Sequence, residues 1–268
     1  DVAERIDAVP YGGLAAIHKL VDKLGLAERI DKALSLLKIH RPYSESNHVL
    51  NIAFNLLCGG RVLEDIEVRR NDVAFLDMLG ARMIPDPTTA GDFCRRFDAD
   101  AVHALMEAIN EVRLDVWKRQ PASFREETAL IDADGTLLET TGECKEGMDI
   151  SYKGTWGYHP LLVSLANTRE PLFLVNRSGN RPSAEGAADV LDKAIALCRE
   201  GGIAQIRLRG DTDFSMTTHL DRWDDDGVRF VFGYDAIKSL KQRADALEAS
   251  QYAELIRHAD DAFETKKR

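Results

Sequence analysis

From Gly13 to about Gln120, apolar residues recur every three or four positions, the period of one helix face. Leu14, Ile17, Leu20, Val21 and Leu24 form one stripe; Val49, Leu50, Ile52, Ala53, Leu56 and Leu57 form another, ended by Gly59 and Gly60. The spacing predicts several helices joined by short turns. Pro85-Asp86-Pro87-Thr88-Thr89 breaks the pattern, and Thr88 or Thr89 is expected to cap a helix carrying Phe93 and Phe97. A longer helix follows over 101–118, and Ser44, Ser46 and His48 are read as helix-capping residues. No strand pattern precedes Thr128.

The period then changes. Apolar runs over 128–134, 160–166, 171–176, 203–209 and 228–234 predict five strands, and the turn residues Asn167 to Glu170 join the second and third as a hairpin. Helical spacing over 184–200 puts Val190, Leu191, Ala194, Ile195 and Leu197 on a buried side, with Gly201 and Gly202 as its stop. A shorter helix is predicted over 216–226. The order β-β-β-α-β-α-β is that of a ribonuclease H-like α/β fold, in which the first and fourth strands lie side by side. The expected organisation is a helical N-terminal region over 1–127, this core over 128–235, and the helical start of an insertion or C-terminal segment over 236–268.

Two acidic segments sit at the ends of those first and fourth strands: Leu130-Ile131-Asp132-Ala133-Asp134-Gly135-Thr136, and Ile206-Arg207-Leu208-Arg209-Gly210-Asp211-Thr212-Asp213. Side chains alternate along a strand, so Asp132 and Asp134 share a face, and an adjacent strand ending in Asp211 brings a third carboxylate beside them. Clustered carboxylates repel one another unless a cation neutralises them, which points to an oxygen-preferring divalent ion such as Mg²⁺. A lone Asp after a strand is more often a turn or a cap. Two such motifs at matching places in one topology favour the metal site. Carboxylates of this kind hold two ions about 4 Å apart for in-line phosphoryl transfer. Asp213 is expected to cap the following helix, and Thr136 to be a local hydrogen-bond donor.

Composition narrows the setting. The 268 residues are 44% hydrophobic and 30% charged, which is ordinary globular usage. No apolar run approaches the roughly 18 residues of a membrane span, and the N-terminus lacks a signal peptide's basic start and apolar core, so a soluble cytoplasmic protein is expected. Cys58, Cys94, Cys144 and Cys198 lie too far apart for a zinc ribbon or a disulfide framework. A net charge of −10 argues mildly against wrapping nucleic acid but says nothing of local patches. The chain starts at Asp1 without a methionine and stops at Arg268 directly after a helical run, so a fragment is expected.

Two families come into view through these motifs. Asp132-Ala133-Asp134-Gly135-Thr136-Leu137 resembles the first motif of the haloacid dehalogenase-like phosphatases, which implies Asp132 as nucleophile and Asp134 as general acid; Gly210-Asp211-Thr212 is similar to their last, Mg²⁺-binding motif. That family, however, begins a doubly wound parallel sheet with its motif, and here a helical region precedes and a hairpin follows. Lys153-Gly154-Thr155-Trp156-Gly157-Tyr158-His159-Pro160-Leu161-Leu162, then Asn176-Arg177-Ser178-Gly179-Asn180-Arg181, then Arg209-Gly210-Asp211-Thr212-Asp213-Phe214 closely resemble the DDE transposases of the IS1380 insertion-sequence group, over about Pro10 to Tyr234. This resemblance implies a helical DNA-binding region, a ribonuclease H-like catalytic core, Mg²⁺ or substituting Mn²⁺, and cut-and-paste movement of DNA. It implies terminal repeats and target DNA as partners, and a homodimer in the active complex. Asp134 and Asp211 correspond to catalytic metal ligands, with Asp132 their near neighbour. The third member, a glutamate, is expected on a later helix. Glu248, Glu254 and Glu264 lie in that direction without the Tyr-, Arg- and Lys-bearing context, so it is expected beyond Arg268, leaving this chain alone a weak metal binder that does not cut DNA. A non-catalytic DNA-binding fragment is the remaining alternative. Lys153, Arg177, Arg181 and Arg209 are candidate phosphate contacts. Trp156 and Tyr158 are expected to pack over the sheet edge rather than stack on a base.

Overall fold

Helix-forming sequence comes first in the computed structural model, which describes residues 11–142 and 145–253. Before any described strand lie α1 (Gly13–Leu24), α2 (Leu26–Ala33), α3 (Glu45–Leu57), α4 (Ile66–Arg70), α5 (Val73–Met78), α6 (Pro87–Cys94), α7 (Ala99–Lys118) and α8 (Ala122–Glu126). Leu14, Phe54, Cys58, Ile66, Phe75, Ile84 and Ala90 build a core shared by α1, α3, α4, α5 and α6. Ser44 sits at the N-cap of α3, as expected. The cap of α6 does not fall on Thr88 or Thr89. Asp86 accepts from the Thr89 N–H at 2.9 Å, because Pro87 takes the first helical position, where its fixed φ and missing N–H cost nothing. The helix ends at Cys94, so Phe97 falls past it.

The apolar stripe read on α3 is also corrected. Leu56 and Leu57 are exposed, whereas Glu45, Ser46, His48, Asn51 and Asn55 are buried. Ser46 bonds to the Asp31 carboxylate and His48 stacks on Phe93, while the other three are buried because backbone outside the helix needs them. Glu45 accepts from the Leu36 and Leu37 N–H groups at 3.0 and 3.1 Å, Asn51 donates to the Pro85 carbonyl and Asn55 to that of Val62. Glu45→Ala strands both amides and is expected to cost about 2–3 kcal/mol in chemical denaturation; Glu45→Gln, which keeps an acceptor oxygen, should cost less.

The rest is α/β: β1 (Ala129–Gly135), β2 (Leu138–Glu139), β3 (Asp149–Ile150), β4 (Trp156–Tyr158), β5 (Leu161–Leu165), β6 (Glu170–Val175), α9 (Ala187–Glu200), β7 (Ile206–Gly210), α10 (Thr217–Asp225), β8 (Arg229–Phe232) and α11 (Lys238–Asp245). The five predicted strands form one mixed sheet in the order β6-β5-β1-β7-β8. β1 runs antiparallel to β5 and parallel to β7, so the first and fourth predicted strands are neighbours. Alternation buries Ile131, Ala133, Leu161, Val163, Ile206 and Leu208 on one face. There α9 packs through Val190, Leu191, Ala194, Ile195 and Leu197, and Gly202 at φ 88° ends it.

From the helical region, α7 reaches this core. Trp117 is buried in it, and its indole N–H donates to Glu170 at the start of β6, beside the Arg113–Glu170 ion pair at 2.8 Å. Strands β2, β4 and β3 form a small second sheet that the sequence pattern did not predict. Gly157 lets β4 approach β2, since a Cβ there would lie 1.9 Å from the Leu138 carbonyl oxygen.

Candidate active site

Asp132 and Asp134 project from the face of β1 opposite Ile131 and Ala133, as the alternation requires. Register pairs Asp132 with Arg209 across the parallel β1–β7 ladder, and the ladder stops there. Two residues further along each strand stand Asp134, exposed at the end of β1, and Asp211, exposed just past the end of β7. The two acids thus leave the same ends of adjacent strands.

Asp132 is not free. Arg209 Nε donates to its Oδ1 at 2.6 Å and Nη2 to its Oδ2 at 2.8 Å, a two-point pair on a partly exposed face. Hydrogen bonds to Asp132 hold the Arg209 guanidinium above its ordinary, already high range. Asp211 is the N-cap of a 3₁₀ turn over Thr212–Phe214, accepting from the Asp213 N–H at 3.0 Å through Oδ1. The capping expected of Asp213 is corrected here. Asp213 lies inside that turn, α10 starts only at Thr217, and the Asp213 carboxylate accepts instead from Ser183 Oγ at 2.8 Å.

Ser183 is a residue the sequence did not point to, whereas His159, beside Pro160, is the histidine best placed in the sequence to matter, though without a nucleophile to pair with. His159 is buried; its Nδ1 lies 2.7 Å from the Arg181 carbonyl oxygen, which can only accept, so Nδ1 is the donor of that bond. With Tyr152, Asn180, Arg181, Ser183 and Asp213 it lines a cavity of about 310 Å³. Both side chains crowd the end of β1: a Cβ on Gly135 would lie 2.7 Å from His159 Nε2 and 3.1 Å from Ser183 Oγ. Gly135→Ala is expected to lower stability by about 1–3 kcal/mol in thermal denaturation, because the pinned imidazole has to move.

Three of the four basic candidates already have partners within the chain. Arg177 is half-buried, donating through Nε to the His159 carbonyl and through Nη1 to the carbonyls of Pro182, Ser183 and Glu185, and burial lowers its pKa. It braces the loop before α9. Arg181 pairs with Glu185 at 2.7 Å and Arg209 with Asp132. Lys153 is exposed and lies over the Tyr152 ring. Tyr158 is half-buried and its hydroxyl donates to the Glu146 carbonyl, whereas Trp156 is 53% exposed, contrary to the packing expected of it. Its strand belongs to the small sheet rather than the five-stranded one, and Trp156 is not part of the larger sheet's core.

Among the described residues, no three His, Cys, Asp or Glu side chains converge to hold a metal ion, so Glu248 does not complete a triad. Glu254 and Glu264 lie outside the described residues. What the strand order supplies is a placement, with Asp134 and Asp211 each two residues beyond the last β1–β7 register pair. Hard, exposed carboxylate oxygens on an open face fit a divalent ion that draws its remaining ligands from water and substrate phosphate, as Mg²⁺ commonly does. No helix among the described residues is long and apolar enough to cross a membrane. The buried thiol of Cys198, pushed up to about 12, is no nucleophile.

The family model described as transposase DDE domain group 1 matches residues 7–266. None of the curated proteins compared with the chain matches it. Among solved structures, the chain is similar to the piggyBac transposase in the cryo-EM structure of its synaptic complex with hairpin DNA, at 12% identity and a TM-score of 0.41; the match covers 87% of this chain and 54% of that one. It is also similar to the Mos1 transposase in a paired-end complex with the left transposon end, at 8% identity and a TM-score of 0.28, covering 91% of this chain and 81% of that one. The chain spans about half the length of the piggyBac transposase chain.

Proposed function

The chain belongs to the transposase DDE domain group 1 family, and on that premise we propose that it carries the catalytic carboxylates of a DNA transposase of the IS1380 group, on a ribonuclease H-like core over 128–235. Asp134 and Asp211 are its metal ligands. The observation that supports this reading is the placement of these two exposed residues at the same ends of adjacent parallel strands, each two residues beyond the last β1–β7 register pair. A bound divalent ion, Mg²⁺ or Mn²⁺, would activate a water or a 3′-hydroxyl and stabilise the leaving oxygen of a phosphodiester. The chain's own part is to hold the two carboxylates on rigid strand ends, with Asp211 oriented by the Asp213 N–H. A third acid, a glutamate on a helix after the last strand of the core, completes the set.

DNA is the partner, as transposon ends and as target, and the active complex is a homodimer. The helical region over 1–127 binds DNA, and Lys153 contributes a phosphate contact. The phosphatase alternative has lost its footing: β1 runs antiparallel to β5 where a doubly wound sheet would be parallel, and Asp132, its nucleophile, is held by Arg209. Incubation of the purified protein with DNA carrying the element's ends tests the reading. Divalent-ion-dependent nicking at the element's ends is expected; phosphomonoester hydrolysis without nicking would overturn it.

A further inference from the structure

Asp132 stands between two possible jobs. Its position on the Asp134 face makes it a third metal ligand by proximity, and its pairing makes it something else. Both of its oxygens accept from the Arg209 guanidinium, at 2.6 and 2.8 Å, in the planar two-point arrangement that only arginine offers a carboxylate. The two residues are partners in the register, and theirs is the last pair of the β1–β7 ladder. Beyond it β1 keeps only its β5 neighbour, with Asp134 opposite Leu162, while β7 keeps only β8, with Gly210 opposite Phe232. The ion pair is therefore the final direct tie between the two strands before Asp134 and Asp211. Side-chain exposures of 37% for Asp132 and 44% for Arg209 make it too wet to stabilise the fold much by charge alone.

We infer that Asp132 is the counter-ion of Arg209 and not a metal ligand, and that the pair is a positioning clamp that sets the level at which Asp134 and Asp211 face each other. This rests on the metal site proposed for those two aspartates. The physical reason is electrostatic as well as geometric. A divalent ion bound to Asp132 would sit against a guanidinium that never gives up its proton, so the ion is driven one step up the strands to the acids that have no such neighbour. Asp132 in turn cancels the charge of Arg209, which would otherwise oppose the ions from beneath. Arg209 is thereby a positioning residue, and not one of the chain's phosphate contacts.

Charge cancellation has a signature that a ligand cannot mimic. Mn²⁺ affinity is measured by calorimetry, with thermal melts as a folding control, for the wild-type chain, Asp134→Asn, Asp132→Asn and the double variant Asp132→Asn/Arg209→Gln. Asp134→Asn should weaken binding by about 100-fold or more. Asp132→Asn exposes the ions to an uncompensated guanidinium and should weaken it by about tenfold, the lower end of what loss of a supporting partner costs. The double variant is neutral and retains an amide–amide hydrogen bond, so it should return to within about threefold of wild type. If Asp132→Asn and the double variant both lose binding as fully as Asp134→Asn, Asp132 is a ligand and the clamp is overturned; unchanged affinity in Asp132→Asn overturns it too. Wild-type affinity in Asp134→Asn would instead remove the metal site itself, a failure distinguishable from that of the clamp.

Discussion

Replacing Asp134 or Asp211 with asparagine is expected to lower divalent-ion-dependent nicking of the element's ends by roughly 10³-fold or more, with little loss of thermal stability. Asparagine keeps the shape of the side chain and one carbonyl oxygen but removes the negative charge that binds a hard cation. At position 211 that choice matters. Oδ1 of Asp211 accepts from the Asp213 N–H and opens the 3₁₀ turn over Thr212–Phe214, and Asn is as good a cap as Asp. The turn survives, and the charge alone is tested. Alanine would confound the two. Initial rates over a series of Mn²⁺ concentrations, with melting curves alongside, check the expectation; a variant that nicks DNA at the wild-type rate sinks the role given to that aspartate.

The second large effect lies far from the acids. Trp117→Ala is expected to cost about 3–5 kcal/mol in chemical denaturation. Trp117 is buried in the sheet's own core although it belongs to α7, its indole N–H donates to Glu170, and its ring fills the space over Gly201, where a Cβ would lie 2.6 Å away. Its removal leaves a large void and an unpaired share of the Glu170 carboxylate. Because α7 also packs against α2, the loss should appear as one cooperative transition lowered as a whole, read by both far-ultraviolet circular dichroism and tryptophan fluorescence. Two separated transitions with only the sheet destabilised would contradict the shared core.

The strands and α9 are legible in the sequence because their burial follows from their own period. Ile131 and Ala133, or Val190, Leu191 and Ala194, need no knowledge of their partners to be placed inside. On α3 the inside is set by distant partners. Asn51 and Asn55 are buried because the Pro85 and Val62 carbonyls need donors, and nothing within the helix's own sequence carries that information. The small sheet escapes for another reason: β2 and β3 have two residues each, too short for any alternation to register.

For the proposed site, the two acidic segments point to Asp134 and Asp211, and the strand order puts them at the ends of neighbouring strands. What the linear motifs conceal is the division of labour among the adjacent charges. Arg209 precedes Asp211 by two residues just as Asp132 precedes Asp134, and that parity signals a cross-strand pair once β1 and β7 are known to be parallel. The partnership of Asp213 with Ser183 and the closeness of His159 to Gly135 arise from loops whose course no local pattern dictates.

The most direct measurement is anomalous diffraction at the manganese edge from crystals of the chain soaked in Mn²⁺. A metal site of the kind proposed predicts an anomalous peak within coordination distance, about 2.0–2.3 Å, of both the Asp134 and Asp211 carboxylates, with Asp132 still paired to Arg209. A peak coordinated by Asp132 after Arg209 has swung away, or an ion bound elsewhere with Asp134 and Asp211 bare, would contradict it.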